Sequence, residues 1–328
     1  MTAAAPVPQV AVPFMPLLGL CEQRLRNSVA GYREELVRPA TDTLAAGGKR
    51  VRPLLLFCSA PHSALDDPVQ RTALLSAAAA VELVHMATLV HADLVDGATL
   101  RRGRPTVAQA LGPDRAIGTG DFLFARAFGE LTTIGLPTAV RNLAAAALDL
   151  SQGEMDQQRA AFDFALHEDA YLARCRRKTA ALFAVACRLG GLVGGAGAEA
   201  QDRLAAFGEN VGMAFQIFDD ILDLAGAPAS TGKRRGTDLR DGTVTLPMIL
   251  ALQVEPGLRP ALESAAASGA EVDALCDRLA AHPGVELARK RALGFVAAAR
   301  AAITDGPTGG ADVGALGEIA DGVVDRYS

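Results

Sequence analysis

Two aspartates one helical turn apart on an otherwise apolar run constrain this chain more than any other feature. In Phe215 to Pro247, FQIFDDILDLAGAPASTGKRRGTDLRDGTVTLP, Asp219, Asp220 and Asp223 stand at i, i+1 and i+4. On a helix, Asp219 and Asp223 point the same way. Like charges ~4 Å apart repel by about 4 kcal/mol at an effective dielectric of ~20. The preceding Met213, Phe215 and Gln216 offer no charge to offset that. Such a helix calls for a cation, and hard oxygen donors without a nearby Cys or His suit magnesium. Lys233, Arg234 and Arg235 follow at once, which implies that the metal arrives with a polyanion.

The rest of the chain predicts an all-α fold. Helical periodicity runs through Leu17–Ala46, Leu54–Ser63, Val69–Val95, Ala116–Thr132, Pro137–Gln158, His167–Leu189 and Ala200–Leu224, then through shorter helices to Tyr327. Pro53 reads as an N1 proline, Gly97 to Thr106 as a loop, and no stretch carries a hairpin signal. With no break in composition, residues 16–328 read as a single domain. Residues 1–15, broken by Pro6, Pro8 and Pro13 and lacking a basic start, read as a flexible tail and not a signal peptide.

Composition excludes several classes. A net charge of −5 makes no case for nucleic acid, and 5% aromatics without Trp argues against stacking platforms. Five scattered cysteines read as reduced thiols of a cytoplasmic protein. The most apolar window, Thr179 to Gly195, contains Arg188 and is too short to span a bilayer.

A second acidic cluster repeats the first. His91-Ala-Asp-Leu-Val-Asp leads into Arg101-Arg102-Gly103-Arg104, as Asp219-Asp-Ile-Leu-Asp leads into Lys233-Arg234-Arg235-Gly236. One acidic pair could be a solvated helix face. Two, each on an apolar helix and each followed by a basic loop, suggest facing helices that bracket magnesium ions and a diphosphate. Lys49, Arg52, Arg101, Arg102, Lys178 and Lys233 each pass for surface charges. Gathered at loop–helix junctions, they suit two phosphate esters. His85 reads as a core histidine, or as a phosphate donor if Lys49 and Arg52 lie near it.

Taken together, these stretches resemble the trans-polyprenyl diphosphate synthase family. The resemblance is carried by GGKRVRP at 47–53, VELVHMATLVHADLVDGATLRRGRPT at 81–106, GDFLFARAF at 120–128, RRKTAALF at 176–183, FQIFDDILD and GKRRGTDLRDGTVTLP. It implies antiparallel helices bundled around a deep central cavity, usually in a homodimer. The implied reaction joins isopentenyl diphosphate to an allylic diphosphate through an allylic carbocation and releases diphosphate. Lys49, Arg52, His85 and Arg102 would then hold isopentenyl diphosphate. Arg101, Lys178, Thr179, Gln216 and Lys233 would hold the allylic diphosphate. Asp219, Asp220 and Asp223 would bind magnesium, up to three ions per site, with Asp93 and Asp96 opposite. Lys178, Asp219 and Lys233 would be catalytic.

Two departures from the family pattern stand out. The first acidic motif, DDxxD in the family, is ADLVD here, with Ala92 at its first position; Thr243 occupies a place the family usually gives to Lys. Both weaken the hold on the allylic diphosphate. Thr88 and Ala87, one turn before the motif, are small, which permits a long hydrocarbon, and Met86 is a poor plug. Weak chelation favours early release instead, and on that ground a short product such as geranyl diphosphate is expected. Two rivals stand beside this reading. A terpene cyclase would not need GGKRVRP or Arg102. A non-catalytic subunit of a heteromeric synthase is favoured by Ala92 and Thr243, but would not need FQIFDDILD or the Lys178-Thr179 stretch.

Overall fold

A computed structural model describes residues 12–226 and 235–325. They are almost wholly helical, as expected, and divide into two compact units. The first comprises 1–147, 182–208 and 301–322; the second 148–181, 209–300 and 323–328.

The first unit begins with α1 (Met15–Val29) and α2 (Glu34–Ala45). The single helix expected over 17–46 is broken between them, where Gly31 adopts φ +81° and the chain leaves helical geometry. The tail expected over 1–15 lies largely outside the described residues; Phe14 is already buried, and α1 starts at Met15. Next come α3 (Val51–Ser59) and α4 (His62–Asp66), separated at Pro61. Pro53 is the third residue of α3, not its first, still in the turn where a missing N–H costs nothing.

The long α5 (Pro68–Val95) is the core of this unit. It opens on Asp67, whose side chain accepts from the Gln70 N–H, with Pro68 in the first turn. Its run Ala77–Ala80 is fully buried, and small side chains there let α7 (Pro113–Thr132), α1 and α3 pack closely. By length and composition α5 could cross a bilayer, yet most of its apolar window is buried against these helices. A short α6 (Val107–Leu111) precedes α7.

The expected loop at 97–106 is a β-hairpin. Strand β1 (Leu100–Arg101) pairs antiparallel with β2 (Arg104–Pro105). Its two turn residues, Arg102 (φ +53°) and Gly103 (φ +74°), both have positive φ, as a tight type I′ turn requires. The hairpin was illegible in sequence because Arg is an unfavoured first residue for that turn.

Helix α8 (Pro137–Arg159) runs from the first unit into the second. Helix α9 (Glu168–Cys175) passes without a break into a single π turn, Arg176–Ala180, both in the second unit, and on into α10 (Ala181–Val193), which belongs to the first from Leu182. Helix α11 (Ala198–Ala225) carries the acidic motif, and a four-residue helix, α12 (Thr237–Arg240), follows it. Helices α13 (Leu246–Val254), α14 (Arg259–Ser268), α15 (Val272–Ala280), α16 (Pro283–Thr304) and α17 (Val313–Asp325) complete the chain. All five cysteines are free and buried.

Candidate active site

The first unit assembles a cationic cluster. Gly47 (φ +75°) turns the chain, and Arg50 starts α3 from the left-handed region (φ +48°). Arg50 is buried and ion-paired with Glu22 and with Glu82, the latter at 2.7 Å. Burial opposes its charge, but Glu82 and Glu22 together hold the guanidinium well above the ordinary arginine value. In the sequence, the signal for Arg50 is its place between Lys49 and Arg52.

Arg52 stacks over Phe183, 4.6 Å from the ring centroid, and its buried Nε has no hydrogen-bond partner. Burial pushes its pKa down to about 10, partly offset by Glu82. The hairpin delivers Arg102 to the same place. A Cβ on Gly48 would stand 3.1 Å from an Arg102 guanidinium nitrogen and 3.6 Å from Arg50 Nη1. Glycine at 48 therefore leaves room for both cations. Burial first, then the charges of Arg52, Arg102, Arg101 and Arg50, push His85 well below its usual value, so the imidazole is neutral at pH 7. Among the described residues neither Arg52 nor Arg102 has a carboxylate partner. Lys49 lies exposed on the preceding turn.

The first acidic motif looks different from what its sequence suggested. Asp93, expected as a metal ligand, is only 5% exposed and accepts from Arg101 Nε at both oxygens, 2.7 and 2.8 Å away. Arg101, expected on the allylic diphosphate, is thereby engaged by Asp93. A carboxylate at Ala92 would lie one turn from Asp96, which is exposed and caps the end of α5.

The second unit holds the other half of the expected set. Lys178 and Thr179 lie in the π turn, and π turns cluster at functional positions. Helix α8 crosses the turn at Gly153; a Cβ there would come within 2.5 Å of the Lys178 backbone nitrogen. Lys178 Nζ pairs with Glu154 at 2.8 Å. On α11, Asp223 accepts the backbone N–H groups of Thr237 and Asp238, both at 3.1 Å, and so caps α12. Asp219 is half-buried one turn earlier.

Asp220 departs from expectation. It is 4% exposed, accepts from Tyr171 Oη at 2.6 Å and from Gln216 Nε2 at 2.7 Å, and so has both oxygens engaged. Burial raises its pKa to about 7, against the two hydrogen bonds, which favour the ionised form. Asp220 lies ~100° around the helix from Asp219, where Tyr171 and, one turn earlier, Gln216 meet it. Gln216 Oε1 in turn accepts from Thr179 Oγ1 at 2.7 Å. Tyr171 was absent from the sequence reading. Thr243, the second departure, donates its backbone N–H to Asp238. Lys233 lies outside the described residues.

The family match and the named relatives make this chain an enzyme of the prenyltransferase class. Residues 33–279 match the polyprenyl synthetase family, and the chain belongs to it. Among its relatives, the heptaprenyl diphosphate synthase component 2 of Geobacillus stearothermophilus is 41% identical over 73% of each chain. The nonaprenyl diphosphate synthase of Mycobacterium tuberculosis is 38% identical, over 78% of this chain and 76% of its own. The polyprenyl synthase of Caulobacter crescentus, solved with calcium and isoprenyl diphosphate, superposes with a TM-score of 0.88 at 30% identity over the full length of both chains. The decaprenyl diphosphate synthase of Rhodobacter capsulatus gives 0.87 at 31% identity, covering 98% of this chain and all of the other.

Proposed function

We propose that this protein condenses isopentenyl diphosphate with an allylic diphosphate to build a long polyprenyl chain. The observation that carries this is the pair Arg52 and Arg102, set around neutral His85 without a carboxylate partner among the described residues. Cations held close together in partial burial repel one another until an anion joins them, and a diphosphate does so with several oxygens. Lys49, Arg52, His85 and Arg102 hold isopentenyl diphosphate, with Arg50 fixing the start of α3 beneath them.

On the other unit, Lys178, Gln216 and Lys233 serve the allylic diphosphate, with Thr179 bound to Gln216 beside them. Asp219 and Asp223 fit a hard divalent ion: they are oxygen donors one turn apart. Among the described residues no three acidic, His or Cys side chains close into a metal cage. Magnesium is bound through one or two carboxylates plus substrate phosphates. On the first unit Asp93 anchors Arg101; on the second Asp220 is held by Tyr171 and Gln216. When bound, magnesium supplies the Lewis acidity that neutralises the departing diphosphate. Lys178 and Lys233 add fixed positive charge where negative charge grows. Apolar helices keep water from the carbocation.

The short product expected from weak chelation finds no support among the relatives named above, which carry the names of hepta-, nona- and decaprenyl synthases. The small pair Thr88 and Ala87 supports a long chain instead. Incubation of the purified protein with magnesium, isopentenyl diphosphate and each allylic primer should yield a product of six or more isoprene units. A dominant geranyl product would reject the long-chain reading, and no product with any primer would reject the activity of the isolated chain. Ala92→Asp, which restores the one-turn pair with Asp96, should lower the KM for the allylic primer about tenfold, as a charge-assisted contact is worth. An unchanged KM would show that Asp96 gains nothing from a second acid.

A second reading keeps the same chemistry with a partner, since one relative is named as component 2 of its synthase. Leu148 and Met155, exposed on α8, support association with a second chain, a copy or a different subunit. We place the assembly in the cytoplasm, in keeping with its five reduced thiols.

A further inference from the structure

We infer that Tyr171 is a positioning residue for the reaction, acting through Asp220 and Gln216 to fix the hydroxyl of Thr179. The inference rests on the function proposed above. Four side chains form one hydrogen-bonded chain within the second unit. Tyr171 Oη donates to Asp220 Oδ2 at 2.6 Å, Gln216 Nε2 donates to Asp220 Oδ1 at 2.7 Å, and Thr179 Oγ1 donates to Gln216 Oε1 at 2.7 Å. Tyr171 is fully buried, and Thr179 and Asp220 nearly so.

The order of the chain sets its polarity. Ionised, Asp220 accepts from both Tyr171 and Gln216, so the Gln216 amide turns its nitrogen to Asp220 and its oxygen to Thr179. The hydrogen of the Thr179 hydroxyl is then committed to Gln216. Its oxygen is left as an acceptor, so Thr179 cannot also donate to a diphosphate. This revises the role expected for Thr179 as a phosphate holder. Tyr171 is itself braced: the Arg174 guanidinium lies 5.3 Å from its ring centroid and donates to the Val244 carbonyl at 2.6 Å. The ring cannot rotate away without disturbing that anchor.

The test compares Tyr171→Phe, which deletes only the donor, with Tyr171→Leu, which also deletes the ring. Turnover is measured with isopentenyl diphosphate, an allylic primer and varied magnesium, and folding is checked by circular dichroism. Tyr171→Phe should lose about ten- to hundredfold in kcat, as a small misplacement of the substrate-holding Gln216 would cause. The KM for isopentenyl diphosphate and the magnesium midpoint should stay where they are. Asp220→Asn should lose as much, and the double variant no more than either alone. A Tyr171→Phe enzyme with wild-type kcat, and loss only in Tyr171→Leu, would reduce Tyr171 to core packing and overturn the inference. A shifted magnesium midpoint in Asp220→Asn would make Asp220 a metal ligand and overturn it too. Should Tyr171→Phe fail to fold, wild-type kcat in Asp220→Asn would serve as the overturning result. Absence of turnover in the wild-type protein would instead defeat the proposed function, and this inference with it.

Discussion

Arg50→Ala should lower the stability of the protein by about 3–5 kcal/mol, the cost of stripping a buried ion pair of one partner. Glu82 is 3% exposed, and one of its oxygens already lacks a partner. The other accepts from Arg50. Removing the guanidinium leaves the carboxylate without a hydrogen-bonding cation, with only the nearby charges of Arg52 and Arg102 to offset its lost hydration. In a chain of this size the melting temperature should fall by roughly 4–7 °C. The double change Arg50→Met with Glu82→Gln should recover most of the loss, because the penalty belongs to the orphaned charge more than to the missing attraction. Equal melting temperatures for wild type and Arg50→Ala would mean that water reaches Glu82.

Gly153→Ala should leave the fold intact and cut condensation by about a hundredfold. The added methyl would stand 2.5 Å from the Lys178 backbone nitrogen and 2.8 Å from its Cα. Backbone atoms cannot swing aside as the end of a side chain can, so either α8 or the π turn must shift. Overpacking of this kind costs about 1–3 kcal/mol in stability, which a protein of this size survives. Lys178 and Thr179 move with the turn and lose their places. The check is kcat with both diphosphates alongside a melting curve; activity within tenfold of wild type would show that the helices separate freely.

Much of this was open to reading from residue types and spacing. The two acid-to-basic junctions, the long apolar α5 and the all-α class follow from periodicity and charge, and the motifs point to the family that residues 33–279 match. What escaped was decided by side-chain direction and by contacts distant in sequence. Asp219 and Asp220 are neighbours in the chain, yet Asp220 is buried against Tyr171 and Gln216 while Asp219 is half-buried beside it. The capture of Asp93 by Arg101 depends on the hairpin, whose turn places Arg where Asn or Asp is usual. Tyr171 carried no signal at all, since a lone tyrosine on a helix is ordinary core until its partner 49 residues away is known.

The wide turn at Arg176–Ala180 explains how Tyr171 and Thr179 come to grip the same neighbour. On an uninterrupted α-helix, residues eight apart diverge by roughly 80°. A turn that absorbs one additional residue takes back roughly 100°, which brings the two side chains within about 20° of a common direction. Asp220 and Gln216, four apart on α11, offer a matching pair of acceptors along one line. Deleting any one residue between 176 and 180 would rewind the helix and aim one of the two grips at empty space, so the length of this segment is fixed even where its side chains are free to vary.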